Sequence, residues 1–196
     1  LSQHPFRRFW RRFHLTKILL IIGLGFSLLT GGYLFYLAKT TNVKDLQNAL
    51  KATTIIYDKN GDQAGSLTGQ KGTYVELDAI SKNLQNAVVA TEDRSFYKNS
   101  GINYGRFFLA ILTLGRSGGG STITQQLAKN AYLSQDQTVE RKAKEFFLAL
   151  EINKKYSKKE ILTMYLNNAY FGNGVWGIED ASKKYFGVSA SQLSLD

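Results

Sequence analysis

The stretch SKNLQNAVVATEDRSFYKNSGINYGRFFLAILTLGRSGGGSTITQQLAKNAY (81–132) decides how the chain folds. Leu84, Ala87, Val88 and Thr91 recur at three- and four-residue spacing, predicting a helix with one apolar face that delivers Glu92-Asp93 to its end. Asn103 stands as N-cap to a second helix, YGRFFLAILTL (104–114), apolar almost all round. Such a helix is buried in a core or dips into a membrane surface. The glycine-rich break RSGGG (116–120) follows, and Ser121-Thr122 offer caps for a third helix running to about Tyr132.

Downstream the period stays helical. A fourth helix is expected from Thr138 to Tyr156, its stripe formed by Val139, Ala143, Phe146, Phe147 and Leu150. Ser157-x-x-Glu160 is a capping box opening a fifth helix. Gly172, Asn173, Gly174 and Gly177 mark a turn before a sixth. Ser189-x-x-Gln192 has the spacing of another capping box, yet Asp196 follows four residues later, so the domain is expected to be C-terminally incomplete. Upstream, TTIIYDKNGDQAGSL (53–67) carries two strand-like runs around Asn60-Gly61, a short-range hairpin signal. The fold class is therefore mainly α, with a short N-terminal β-hairpin.

From Ile18 to Leu37 the chain reads ILLIIGLGFSLLTGGYLFYL, twenty residues without a charge. At helical rise they span about 30 Å, the thickness of a bilayer's hydrocarbon core. A cleaved signal peptide has a shorter apolar core and a small-x-small cleavage site, so the reading is an uncleaved anchor. Basic residues crowd its N-terminal side, which by the positive-inside rule places residues 1–17 in the cytoplasm and the rest outside. The expected organisation is a basic tail (1–17), a transmembrane helix (18–38), a polar stalk (39–52) and an extracytoplasmic domain (53–196).

Composition narrows the chemistry. The formal charge is +10, but residues 1–44 hold seven Lys/Arg and no acid, leaving 18 Lys/Arg against 15 Asp/Glu for the remainder. The basic excess belongs to the tail, which argues against a nucleic-acid-binding domain. With no cysteine there is no disulfide, thiolate metal site or Cys nucleophile. Both histidines, His4 and His14, precede the anchor, so the outer domain holds no Ser-His-Asp triad and no zinc-protease motif. GRSGGGST (115–122) lacks the Lys of a phosphate loop, and Ser95-x-x-Lys98 has no Lys-Thr-Gly string to accompany it. What remains is carboxylate chemistry beside cations and amides: Glu92-Asp93 before Arg94, Glu145 one turn after Arg141-Lys142, and the adjacent amides Gln125-Gln126. Taken one at a time, these also read as caps, salt bridges and surface polarity.

Together they carry a resemblance. ATEDRSFYKNSG (90–101) resembles the first motif of the family 51 glycosyltransferases, and GGSTITQQLAKN (119–130) resembles the second throughout. RKAKE (141–145), KKEILTMYLN (158–167) and GVWGIEDASKKYFG (174–187) are similar to the third, fourth and fifth, in the family's order. These are the peptidoglycan-polymerising domains of class A penicillin-binding proteins and their monofunctional relatives, with a lysozyme-like fold. One departure is Asn99, where the family's first motif has histidine; an amide hydrogen-bonds but does not titrate near neutral pH.

The resemblance implies polymerisation of lipid II into an inverted, β-1,4-linked glycan with release of undecaprenyl pyrophosphate. It makes Glu92 the general base and Glu145 the second catalytic carboxylate, with a possible divalent cation (Mg2+ or Mn2+) at Glu145. Asp93, Ser121, Thr122, Gln125, Gln126, Lys129, Arg141 and Lys142 would bind substrate. Tyr165 and Asn167 would support the site, and Phe96 would wedge the loop into the core. Implied partners are lipid II, the nascent strand, the membrane, which the 104–114 helix would contact, and other cell-wall synthesis proteins. The rival readings are a glycan-cleaving enzyme on the same scaffold and an inactive membrane-anchored one.

Overall fold

A computed structural model describes residues 15–40, 43, 53–68, 72–113, 120–133 and 138–194. The basic tail up to residue 14, most of the 39–52 stalk and residues 116–119 of the glycine-rich break lie outside them. The chain divides into two units, Leu1–Thr41 and Asn42–Asp196. The first contains helix α1 (Leu15–Thr40), of which Thr16–Leu37 is long and apolar enough to cross a membrane.

The second unit opens with an antiparallel hairpin of β1 (Thr53–Tyr57) and β2 (Gln63–Thr68). Its loop is wider than a two-residue Asn-Gly turn. Asp58 N–H donates to Asp62 O (2.8 Å), Gly61 N–H to Asp58 O (3.1 Å), and Gly61 takes the left-handed φ of 88°. The Asp58 carboxylate selects this form by accepting from the backbone of Asn60 (2.8 Å) and Asp62 (3.0 Å).

A strap of residues 72–81 then crosses the helices. Thr73 N–H donates to Asp180 Oδ2 (3.1 Å). Val75 is paired through both backbone groups to the Asn167 amide, at 2.9 and 2.8 Å. A 3₁₀ turn (Leu77–Ala79) leads to Ser81, whose Oγ caps α2 (Lys82–Glu92) by accepting from Leu84 N–H. The expected α2 stripe is only half right. Leu84 and Val88 are partly buried, whereas Ala87 and Thr91 are exposed, and Gln85 takes the core position at 2% exposure. A polar side chain sits there because its amide donates to both Leu77 O (2.9 Å) and Ile80 O (2.8 Å).

Asn103 Oδ1 caps α3 (Tyr104–Leu112) by accepting from Arg106 N–H. Thr122 and Gln125 form the capping box of α4 (Ile123–Tyr132), and Thr138 caps α5 (Val139–Lys155). The buried face of α5 is Glu145, Leu148, Ala149 and Ile152; Ala143, Phe146, Phe147 and Leu150 are only half-buried, and the Val139 side chain lies outside the described residues. The expected stripe is thus displaced by about one position. Both faces are apolar enough for packing, and Phe146 is taken by α3, its ring 5.0 Å from that of Phe107.

Helix α6 (Lys158–Asn168), opened by the Ser157/Glu160 capping box, is buried from Ile161 to Asn167 without a break. It is the central element: α4, α5 and α7 (Ile178–Phe186) all pack on it. The Gly172–Gly177 turn precedes α7 as expected, closed by a Tyr170–Trp176 bridge. Residues 189–192 form a turn only. There Ser189 Oγ and Ala190 N–H both bond to Glu179 Oε2 instead of capping a helix.

Candidate active site

Glu92 ends α2, half-buried, at a cleft of about 220 Å³ lined by Ala87, Val88, Thr91, Tyr165 and Phe171. Its Oε2 accepts from Gln126 Nε2 of α4 (2.8 Å), and Gln126 Oε1 in turn accepts from Tyr165 OH of α6 (3.1 Å). Burial, and after it the Glu92 charge, pushes the Tyr165 phenol up to about 12, so it keeps its proton and donates at neutral pH. A carboxylate only accepts, so the Gln126 amide turns Nε2 to Glu92 and Oε1 to the phenol, which holds it there. Among the described residues Glu92 Oε1 has no hydrogen bond and remains for the cleft.

Asp93 points the other way, 1% exposed. It accepts from Ser95 Oγ (2.8 Å) and N–H (3.2 Å), Asn99 Nδ2 (2.9 Å) and Ile123 N–H (3.4 Å). Asn103 Nδ2 donates to Ser95 Oγ (3.0 Å), and Lys158 Nζ to Asn99 Oδ1 (3.1 Å). Burial pulls the Lys158 ammonium below its usual range, with Asp93 opposing that shift. Phe96 is fully buried within this loop, as expected.

The third cluster is cationic. Glu145, 1% exposed, accepts from Arg141 Nη1 (2.9 Å) and from Lys142 Nζ, which also donates to Ser121 Oγ (2.8 Å). Arg141 Nε is buried and has no partner among the described residues. These residues do not fit a divalent cation at Glu145 as placed. Both carboxylate oxygens are engaged by cations, and no group of three His, Asp or Glu with ligating geometry occurs among the described residues.

Two expected substrate ligands turn inward with Asp93. Thr122, 1% exposed, donates from Oγ1 to Gly101 O (2.6 Å) and accepts from Gln125 N–H; Gln125, also 1% exposed, returns Oε1 to Thr122 N–H (3.0 Å). Thr122 Oγ1 and Gln125 Oε1 are thus engaged in holding the start of α4 and its contact with Gly101. Thr122-x-x-Gln125 is itself a capping-box spacing, the signal that separates the two glutamines. Lys129 lies one turn beyond Gln126 on α4, half-buried.

The close approach at Gly101 is specific. Its φ is +95°, and a Cβ there would meet Ala149 O at 2.6 Å. Gly101→Ala is expected to destabilise the domain by about 2–4 kcal/mol, from backbone strain plus overpacking, read as a lower midpoint in urea unfolding.

Residues 60–196 match the transglycosylase family. The chain belongs to it. Penicillin-binding protein 2a of Streptococcus pneumoniae is 80% identical over 192 residues, 98% of this chain and 26% of that protein. Penicillin-binding protein 1A of Aquifex aeolicus is 40% identical over 185 residues, and penicillin-binding protein 1F of Bacillus subtilis 39% over 185, covering 90% and 92% of this chain and 25% of each relative. The chain thus spans about a quarter of the length of these relatives. In this transglycosylase domain the segments 90–101, 119–130 and 141–145 supply the three clusters, and 158–167 adds Tyr165 and Lys158. The segment 174–187 lies apart, tying the strap and the 189–190 turn through Asp180 and Glu179. Lys158 is the residue that sequence reading passed over. A cation at the first position of a helix, against its dipole, is the signal that could have found it.

Proposed function

We propose that this domain is a peptidoglycan glycosyltransferase that polymerises lipid II into β-1,4-linked glycan with inversion. What carries the reading, beyond membership of the transglycosylase family, is Glu92: one oxygen fixed by an amide that a phenol holds, the other left for a cleft. That carboxylate takes the proton of the acceptor's GlcNAc 4-hydroxyl as its oxygen attacks the anomeric carbon of the lipid-linked MurNAc. The C–O bond to pyrophosphate breaks on the opposite face, so an α-linked donor gives a β-linked product.

An inverting glycosidase needs an acid because its leaving group is an alkoxide. Pyrophosphate leaves as a stable anion and needs cations instead. Arg141, Lys142 and Lys129 supply them. Glu145 holds the first two in place, and Ser121 Oγ fixes Lys142. Asp93, Thr122 and Gln125 act as positioning groups.

The substrate's lipid tail stays in the bilayer, so the domain works at the membrane surface, anchored by α1 with its basic flank in the cytoplasm. Tyr104, Phe108 and Leu109 of α3 are exposed and suit lipid contact. Other cell-wall synthesis proteins are expected partners.

Fluorescent lipid II incubated with the detergent-solubilised chain is expected to give a ladder of glycans on a gel. A folded chain that binds lipid II and makes none would sink the reading in favour of a scaffold. Shortening of finished glycan with lipid II untouched would replace it with a cleaving enzyme.

A further inference from the structure

Lys158 is the first residue of α6, where a cation meets the positive end of the helix dipole. It stays there half-buried, its ammonium 4.7 Å from the centroid of the Phe96 ring and 3.1 Å from Asn99 Oδ1. Asn99 Oδ1 also accepts from Gly101 N–H (3.0 Å), while Nδ2 donates to Asp93 Oδ2 (2.9 Å) and Ser95 Oγ (3.2 Å). Both donors and both acceptor sites of this amide are filled. A neutral imidazole, with one donor and one acceptor, cannot make this set of bonds.

Asp93 needs the connection. It is a buried carboxylate whose direct donors are all neutral, and an uncompensated charge in such a place is costly. Lys158 is a cation close enough for its charge and that of Asp93 to act on each other. Asp93 also joins the two segments that build the catalytic pair. It is the C-cap of α2, directly after Glu92, and its Oδ2 holds the first N–H of α4, the helix carrying Gln126.

We propose that Lys158, acting on Asp93 through the Asn99 amide, is a positioning residue for the Glu92–Gln126 pair. This rests on the reading of Glu92 as general base, and Lys158 itself touches neither Glu92 nor the reacting atoms. Among the described residues, the charged groups bonded to position 99 are Asp93, from the end of α2, and Lys158, from α6; Ser95 and Asn103 extend the network without titrating. No group between Lys158 and Asp93 changes charge near neutral pH, so the geometry of the turn is held constant there.

The test measures kcat and KM for lipid II polymerisation, from acid to alkaline pH, on the whole detergent-solubilised chain. Native protein is compared with Lys158→Met, Lys158→Arg, Asn99→His and the Asn99→His/Lys158→Met double variant, each checked for folding by circular dichroism. Lys158→Met is expected to lower kcat by about tenfold with KM changed by less than about twofold, and Lys158→Arg to restore most of the loss. Asn99→His is expected to add an acid limb that the native profile lacks. Below the imidazole pKa both ring nitrogens are donors and the ring repels Lys158, and that limb weakens in the double variant. A folded Lys158→Met chain with native kcat, or an Asn99→His chain with the native pH profile, overturns the role. If Lys158→Met does not fold, Asn99→His decides by itself. A native chain that makes no polymer overturns the proposed function and this role with it.

Discussion

Glu92→Gln is expected to cut the rate of lipid II polymerisation by about 10²–10⁴-fold, the usual contribution of a positioned general base. The substitution keeps the shape, and the new amide's oxygen still accepts from Gln126 Nε2, so the cleft and its Tyr165–Gln126 support stay as they are. Only the capacity to take a proton is lost. Lipid II affinity is therefore expected to hold while ladders vanish, read by a binding assay beside the gel. A variant retaining a third or more of the native rate would remove Glu92 from the role of base and leave the cleft without one.

Glu145→Ala is expected to act on stability first. The carboxylate side chain is 2% exposed, paired with an Arg141 that is 15% exposed and a Lys142 that is 42% exposed. Removing one member of a buried ion pair strands the other, at a cost of about 3–5 kcal/mol; because Lys142 can turn to water, the lower end applies. Urea unfolding checks this directly. Arg141→Met combined with Glu145→Leu fills the same space without charge and is expected to regain most of the stability. The polymerisation rate should stay low, because Arg141 is gone and Lys142 has lost the carboxylate that holds it for the leaving pyrophosphate. Recovery of both stability and rate in the double variant would show the cluster to be packing only.

Features coded by neighbouring residues were legible in the sequence. Asn103, Thr122 and Ser157 cap where cap residues precede helical patterns, and the Gly172–Gly177 turn falls before α7. The anchor-length helix is equally local, since twenty uncharged residues state their own preference. What depended on partners was not legible. The α5 stripe was misplaced because both of its faces are apolar, and the deciding fact is that Glu145 enters the core together with Arg141 and Lys142. Gln85 was passed over because a polar residue at a core position is explained only by the carbonyls of Leu77 and Ile80, which the strap brings in. Within the site, Arg141, Lys142 and Glu145 meet on one side of α5 as their three- and four-residue spacing implies. Gln125 and Gln126 part company because adjacent residues on a helix point about 100° apart, so the one facing the cap turns from the cleft.

The strap has a mechanical meaning. Tension arriving along the chain from the hairpin meets Thr73 and Val75 before it can reach α2. There the hydrogen bonds to Asp180 and to the two ends of the Asn167 amide take the load together. Asn167 also donates to Thr163 O one turn back in α6, which passes that load into the best-buried helix of the domain. A pull on the N-terminal side is thus grounded in the core before it can displace Glu92.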